Sequence, residues 1–455
     1  MTVERLSDED ARILARERGP ISGNLCKVLI VDGRHAVDEL RAAIEPRLGA
    51  EPRLSDCLVP APMGIAPPAW LPDATFALDR HVRDGGRADD QAALESAVAA
   101  LMEGRLDRDR PLWSIDVIAL DRARTAVVLR LHHCMADGMT AMRIVQTLLL
   151  DQDDEADRQL SGGPVSAPAP TEPEGAALLR DAIRWRAAAT RRRAGALAWR
   201  GLAKAGLATR RERHAAIRRA LAPEGHPTSL ARTAGPRRQV AFCSIALDEV
   251  KRIGHRAPTR ATVNDVVLAA VAGGLRHWLA ETGAEPHEVR VKVPVSLHRP
   301  GEHYAANRDS FIVVHLPLDE PDPLARLAVI AAETKRRKAA HDADALYALF
   351  DDVGRLSHSL ERLADRWAMS PRVFALNVSN VPGPQGELTV LGSPLRAMHS
   401  IAEIADRHVL RVAVVSAGGR LSFGLCADAD ALDGLHLIAG GIAEELRTLR
   451  AAVPA

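Results

Sequence analysis

The stretch Val127-Val128-Leu129-Arg130-Leu131-His132-His133-Cys134-Met135-Ala136-Asp137-Gly138 decides how this chain is read. From Thr125 to His132 it has the apolar density of a strand, and it then breaks into Ala-Asp-Gly ahead of a helix expected from Met139 to Leu150. Side chains alternate across a strand, so Val127, Leu129, Leu131 and His133 share one apolar face. Val128, Arg130 and His132 share the other, more polar one. Asp137 is suited to cap the helix or to orient a neighbour through charge-assisted bonds. Gly138 allows a positive φ or a close backbone approach.

A neutral imidazole on an apolar face suits general-base work, because its ordinary pKa of about 6.5 lies near working pH. Acyl transfer to an alcohol asks for such a group. The hydroxyl gives up its proton as it attacks a thioester carbonyl, and hydrogen-bond donors must then hold the oxyanion. Adjacent histidines on an apolar strand also serve structure, and on spacing alone that is the commoner outcome. A shared metal ion fits poorly, since strand neighbours point apart and no third ligand is evident.

Outward from this stretch, 455 residues exceed one ordinary core and point to two domains. A hydrophobic share of 47% with 26% charged residues is that of a globular protein, and 3% aromatics leaves little for base stacking, so no nucleic-acid partner is expected. The five cysteines are scattered without a C-x-x-C pair, which indicates neither a disulfide framework nor a zinc site and fits a reducing cytoplasm. Met1 to Arg5 leads into no apolar signal region, and no run of 18 apolar residues occurs, so a cytoplasmic chain without a membrane-spanning helix is expected. Net charge is +1 but uneven: Arg180 to Arg219 holds 13 Lys/Arg against two acids.

Strands are expected at Leu25–Val31, Trp113–Leu120, Thr125–His132, Gln239–Leu247, Val289–Val295, Ser310–Leu316, Val373–Ser379, Val409–Ser416 and Arg420–Cys426. Helices are expected at Val37–Leu48, Asp89–Leu101, Val263–Leu279, Pro323–Ala339, Leu346–Ala364 and Asp433–Arg450. This mixture is α/β, in two similar-sized halves: 1–160, then a Pro-rich linker and basic helical connector over 161–238, then 239–455.

His132 to Gly138 resembles the HHxxxDG signature of the coenzyme A-dependent acyltransferase superfamily, which includes chloramphenicol acetyltransferase and peptide-synthetase condensation domains. Further blocks resemble, in order, those of the wax ester synthase/diacylglycerol acyltransferases. They are Leu78 to Arg83, Pro111-Leu112-Trp113, Thr262 to Ala269 with Asn264-Asp265, Val293 to Leu297 followed by Ala306-Asn307-Arg308, Ser379 to Pro384, and Gly419 to Leu425. His298 and Tyr304-Ala305-Ala306 depart from that pattern.

The resemblance implies two chloramphenicol-acetyltransferase-like domains (α+β), each a mixed sheet flanked by helices, with a channel between them. It makes His133 the base, His132 and Asp137 its supports, and Gly138 the tight turn. Asn264 and Asp265 would lie near the active site or hold its walls, with Asn264 a possible polarising donor. Trp113 would pack the core or touch the acyl chain, and Asn380 would belong to a shaped loop. The implied substrates are acyl-CoA and a diacylglycerol or fatty alcohol, giving triacylglycerol or wax ester, with no metal and no cofactor beyond the CoA thioester. Cys134 would point away from His133, against a role as nucleophile. The basic segment Arg180 to Arg219 would be a linker with some contact to a membrane or lipid-droplet surface. The rivals are a carrier-protein-dependent condensation enzyme and a catalytically silent lipid-binding relative.

Overall fold

Among the described residues, fourteen strands form two six-stranded sheets and one two-stranded ribbon. The computed structural model describes residues 3–121, 123–151, 175–200, 207–222, 228–283, 288–296, 309–356 and 358–454. Most of the linker after residue 151, His298, Tyr304 and the Ala306-Asn307-Arg308 block lie outside them.

The strands of the first half are β1 (Asn24–Asp32), β2 (Asp56–Val59), β3 (Ala69–Pro72), β4 (Val82–Ala88), β5 (Trp113–Leu120) and β6 (Arg124–His132). Those of the second half are β7 (Arg238–Ala246), β8 (Val289–Ser296), β9 (Asp309–Leu316), β10 (Leu376–Pro382), β11 (Thr389–Val390), β12 (Ser393–Ala402), β13 (Leu410–Ala417) and β14 (Arg420–Asp428). The first large sheet runs β11-β12-β1-β6-β5-β4 and the second β7-β14-β13-β10-β8-β9. Two strands of the second half therefore extend the first sheet, with β12 antiparallel to β1 from Leu25↔Ala402 to Val31↔Leu395.

β6 lies at the centre of its sheet, between β1 and β5, and every residue from Thr125 to His132 is buried. Its two faces serve different cores. Val127, Leu129 and Leu131 pack with helices Val37–Ile44 and Gly138–Leu148, whereas Ala126 and Val128 pack with helix Gln91–Glu103 and with Val240, Phe242 and Cys426 of the second half. Before β6 the chain turns at Asp121, which takes φ 50° and whose Oδ1 accepts from the Ala123 and Arg124 amides.

The second half builds its main core between its sheet and the helices Val263–Glu281 and Leu435–Ala452. Those helices cross in close contact, since a Cβ on Gly274 would stand 2.6 Å from the Ile438 carbonyl oxygen. Three expectations need correction. The helix at Val37 stops at Ile44 and tightens to a 3₁₀ turn over Glu45–Ala50, because Pro46 has no amide to continue the α pattern. The expected helix over Leu346–Ala364 is two helices, Asp342–Leu356 and His358–Ala368. The strand expected to end at Ser379 runs on through Pro382, held by parallel pairing to β13 as far as Pro382↔Ser416.

Candidate active site

The two histidines stand where β6 ends. Antiparallel pairing seats the His132 amide on the Leu112 carbonyl at 3.0 Å, so Pro111-Leu112-Trp113 and the histidine pair are brought together at one end of the sheet. The next amide, of His133, donates to the Gly23 carbonyl at 2.8 Å, just before β1 begins. The chain then turns, with the Met135 amide on the His132 carbonyl at 2.9 Å. Asp137 caps helix Gly138–Leu148, its Oδ1 accepting from the Thr140 amide at 2.6 Å. Gly138 has no positive φ, so close approach is its reason: a Cβ there would lie 2.7 Å from Cγ2 of Val381 in β10.

His132 is the more deeply buried of the pair, at 1% exposure, whereas His133 is half-buried. The Nδ1 atom of His132 accepts the Cys134 amide at 3.1 Å, and its Nε2 faces Glu17 Oε2 at 3.4 Å. His133 is set differently. Its Nδ1 is shut off from solvent and turned to its own main chain, which leaves Nε2 as the nitrogen able to meet a substrate. Burial pushes its pKa down to about 4, helped by the Arg411 guanidinium and by His132, while its own main chain and the Asp137 carboxylate pull the other way. The ring is therefore neutral at physiological pH.

Two charged neighbours were not legible in the sequence. Arg411 comes from β13 of the second half, where its Nη1 donates to the Glu403 carbonyl at 3.0 Å. The Glu403 amide in turn donates to the Asn24 carbonyl, one residue from the oxygen that holds His133. Lys27 is wholly buried in β1 and donates to Ser400 Oγ at 3.1 Å. Burial pushes its pKa down to about 8, against the pull of the Asp137 carboxylate.

A family model described as the wax ester synthase/diacylglycerol acyltransferase catalytic domain matches residues 14–267. The chain belongs to this family. The family's C-terminal domain model matches residues 305–450. A Mycobacterium tuberculosis (strain ATCC 25618 / H37Rv) relative named a diacylglycerol O-acyltransferase is 30% identical over 489 residues, covering 98% of this chain and 90% of the relative. A second relative so named, from the CDC 1551 / Oshkosh strain, is 30% identical over 86% of this chain and 85% of its own length. In structure, the Marinobacter aquaeolei VT8 wax ester synthase/diacylglycerol acyltransferase matches 98% of this chain and 99% of its own with TM-score 0.68 at 21% identity. The first condensation domain of the calcium-dependent antibiotic synthetase matches 98% and 95% with TM-score 0.60 at 18% identity. Both likenesses show the fold: two mixed sheets flanked by helices.

The other residues singled out for this acyltransferase fall in separate places. Asp265 is a buried helix cap: its Oδ2 accepts from the Thr262 amide at 2.8 Å and its Oδ1 from the Thr334 hydroxyl at 2.6 Å. Asn264 beside it is half-buried and has no hydrogen-bond partner among the described residues. Trp113 is 1% exposed, donates Nε1 to the Leu54 carbonyl at 2.7 Å and stacks on His81 with ring centroids 4.5 Å apart. Its packing is that of a core residue. Asn380 lies in β10 with a buried Oδ1 that lacks a partner, next to the Val381 side chain that meets Gly138. Cys134 packs with Leu6, Leu14, Trp70, Leu106 and Leu112, and burial drives its thiol pKa upward, so the sulfur is kept as an unreactive thiol. Among the described residues, no group of three His, Cys, Asp or Glu side chains is placed to hold a metal ion.

Proposed function

We propose that this acyltransferase moves a long acyl chain from acyl-CoA to the hydroxyl of a diacylglycerol or fatty alcohol, with His133 as the base. Its Nε2 takes the hydroxyl proton as the oxygen attacks the thioester carbonyl. The tetrahedral intermediate collapses, the C–S bond breaks, and the proton on His133 passes to the departing CoA thiolate. The products are the ester and free CoA. One observation carries this reading: His133 is held neutral in a half-buried position with Nδ1 covered, while its neighbour is closed off by a carboxylate. Asn264, half-buried and unpaired at a helix start, is the candidate donor to the oxyanion. Asp137 and Gly138 set the turn, and Asn380, next to the Val381 that meets Gly138, belongs to the site's wall, whereas Asp265 and Trp113 support the fold behind it.

Palmitoyl-CoA offered with diacylglycerol and with hexadecanol tests this reading through CoA thiol release and lipid analysis. Release that depends on the acceptor is expected. No release with any lipid alcohol would sink the proposal, and a requirement for a carrier-protein thioester would favour the condensation-type rival.

A peripheral lipid contact belongs to the same reading, and we assign it to helix Gly175–Arg200. The Arg5–Asp181 ion pair at 2.8 Å docks this helix on the first half, leaving Arg180, Arg184, Arg186 and Arg191 exposed. Ile183 is 52% exposed among them, and Gly64 and Ile65 line the same groove, beside Met63 at 82% exposure. Apolar tips ringed by guanidinium groups suit an anionic bilayer surface. No described helix is long and apolar enough to cross a membrane. Co-sedimentation with vesicles of anionic lipid, but not with phosphatidylcholine alone, is expected, and equal binding to both would refute this assignment.

A further inference from the structure

The segment Glu17 to Asn24, which lies outside every motif noted in the sequence, closes around His132. Glu17 caps the end of helix Asp8–Arg16, its amide on the Leu14 carbonyl, and is 8% exposed. One of its oxygens, Oε2, accepts from Arg108 Nη2 at 2.5 Å and Nε at 2.8 Å and also faces His132 Nε2 at 3.4 Å. The other, Oε1, lies 3.4 Å from Arg105 Nε. From the opposite side Gly23 presses in at φ 71°, and a Cβ on it would stand 2.5 Å from His132 Nε2. That nitrogen is shut off from solvent.

The other ring nitrogen settles the tautomer. A backbone amide can only donate, and the Cys134 amide meets His132 Nδ1 at 3.1 Å, so Nδ1 is bare and the ring hydrogen sits on Nε2, whose nearest acceptor is Glu17 Oε2 at 3.4 Å, an ion-pair separation rather than a formed hydrogen bond. In the opposite tautomer Nδ1–H would meet the Cys134 N–H donor to donor. That repulsion would open the turn in which the His132 carbonyl accepts from Met135 and from which His133 is presented.

We propose that Glu17 is a positioning residue for acyl transfer: its Oε2 holds His132 in the Nε2–H tautomer, and His132, through the Cys134 amide, sets the turn that aims His133. The consequence for catalysis rests on His133 being the base; the tautomer assignment does not. Glu17 thus acts at two removes from the substrate, and its carboxylate charge is secondary to the place of one oxygen. An error of about 1 Å in aiming a base costs on the order of a hundredfold in rate.

Two substitutions separate this role from that of a plain ion pair. Glu17→Gln loses the charge but can keep a carbonyl oxygen at the Oε2 position, with its NH2 group in place of Oε1, from which the exposed Arg105 side chain can turn away. Glu17→Asp keeps the charge but is one methylene too short to reach His132. The expected result is a kcat within about threefold of wild type for Glu17→Gln and a loss of about 10- to 100-fold for Glu17→Asp, with KM for palmitoyl-CoA little changed in both. Nitrogen-15 NMR of histidine-labelled protein should show His132 as the Nε2–H tautomer in wild type and Glu17→Gln, and as a mixture in Glu17→Asp. The reverse order, with Asp active and Gln not, would assign Glu17 to the ion pair with Arg108 and overturn the proposal. An unchanged His132 tautomer in Glu17→Asp would overturn it as well. Full activity in His133→Ala would instead refute the base assignment, and the NMR comparison would still decide whether Glu17 sets the tautomer.

Discussion

His132 and His133 are adjacent, yet their surroundings have little in common. His132 faces Glu17 and Gly23 and has a hydrogen-bond acceptor role at Nδ1. His133 has no carboxylate within hydrogen-bonding distance among the described residues, a covered Nδ1, and a pKa pushed down by burial and then by a guanidinium from the other half of the molecule. A histidine closed on both nitrogens can only support. One kept neutral with a nitrogen to spare can accept a proton. The difference teaches that what each ring meets, rather than the residue type, sets apart two adjacent histidines, and it underlies the proposed division of labour between them.

The largest expected effect breaks the pair apart directly. His133→Ala should lower kcat by about 10²- to 10⁴-fold with the melting temperature nearly unchanged. His132→Ala should cost less in rate and more in stability, since it leaves the Cys134 amide without its acceptor and opens a cavity beside Glu17 and Gly23. CoA release and thermal melts read both; equal losses in rate with no change in melting would erase the division.

Gly23→Ala comes next, because it combines a positive φ with a collision on His132 Nε2 at 2.5 Å. Gly19→Ala is the control, with φ 52° and nothing within 4 Å of the added carbon. Backbone strain alone costs about 1 kcal/mol in each, so the excess destabilisation and loss of kcat in Gly23→Ala measures how tightly His132 is enclosed. Similar melts and similar rates for the two variants would show that the enclosure does not matter.

The pH profile sharpens the His133 side. With its pKa lowered to about 4, the proposed base is neutral at pH values well above that, so kcat/KM should stay flat from pH 7.5 down past 6.5. A nearby cation disfavours the protonated ring, so Arg411→Met should raise the His133 pKa and move the acid limb upward. A limb that stays in place would show that burial alone sets the value.

The smallest effect concerns the seam between halves. Gly138→Ala brings a carbon to 2.7 Å from Val381 Cγ2, a contact that a valine methyl can partly yield. A loss of about 1 kcal/mol is expected, most of it recovered in the double variant with Val381→Ala. Additive losses in denaturant melts would mean that the two side chains do not meet.

Much of this was readable before any coordinates. Alternation along Val127 to His133 separated the two cores on either side of β6, and the helix cap at Asp137 followed from its place before an apolar repeat. The helix expected at Pro323–Ala339 was found between those residues. β4 was missed because Val-Arg-Asp-Gly-Gly-Arg-Ala lacks strand alternation and is held by its parallel pairing with β5. β12 was missed too, and with it the crossing by which the second half completes the first sheet. Pairings over more than 350 residues leave no local trace in composition.

By itself, the sequence determined the segment proposed to carry the reaction, its strand-to-helix turn and the family, because these rest on short-range periodicity and on residue types in order. Only the tertiary structure decided which groups surround each histidine. Glu17 and Gly23 reach His132 because β1 lies beside β6, and the Arg411 charge acts on His133 because β12 carries the second half back onto that same sheet. Burial and neighbouring charge tune a base, and both are properties of packing between distant segments that no single stretch of chain contains.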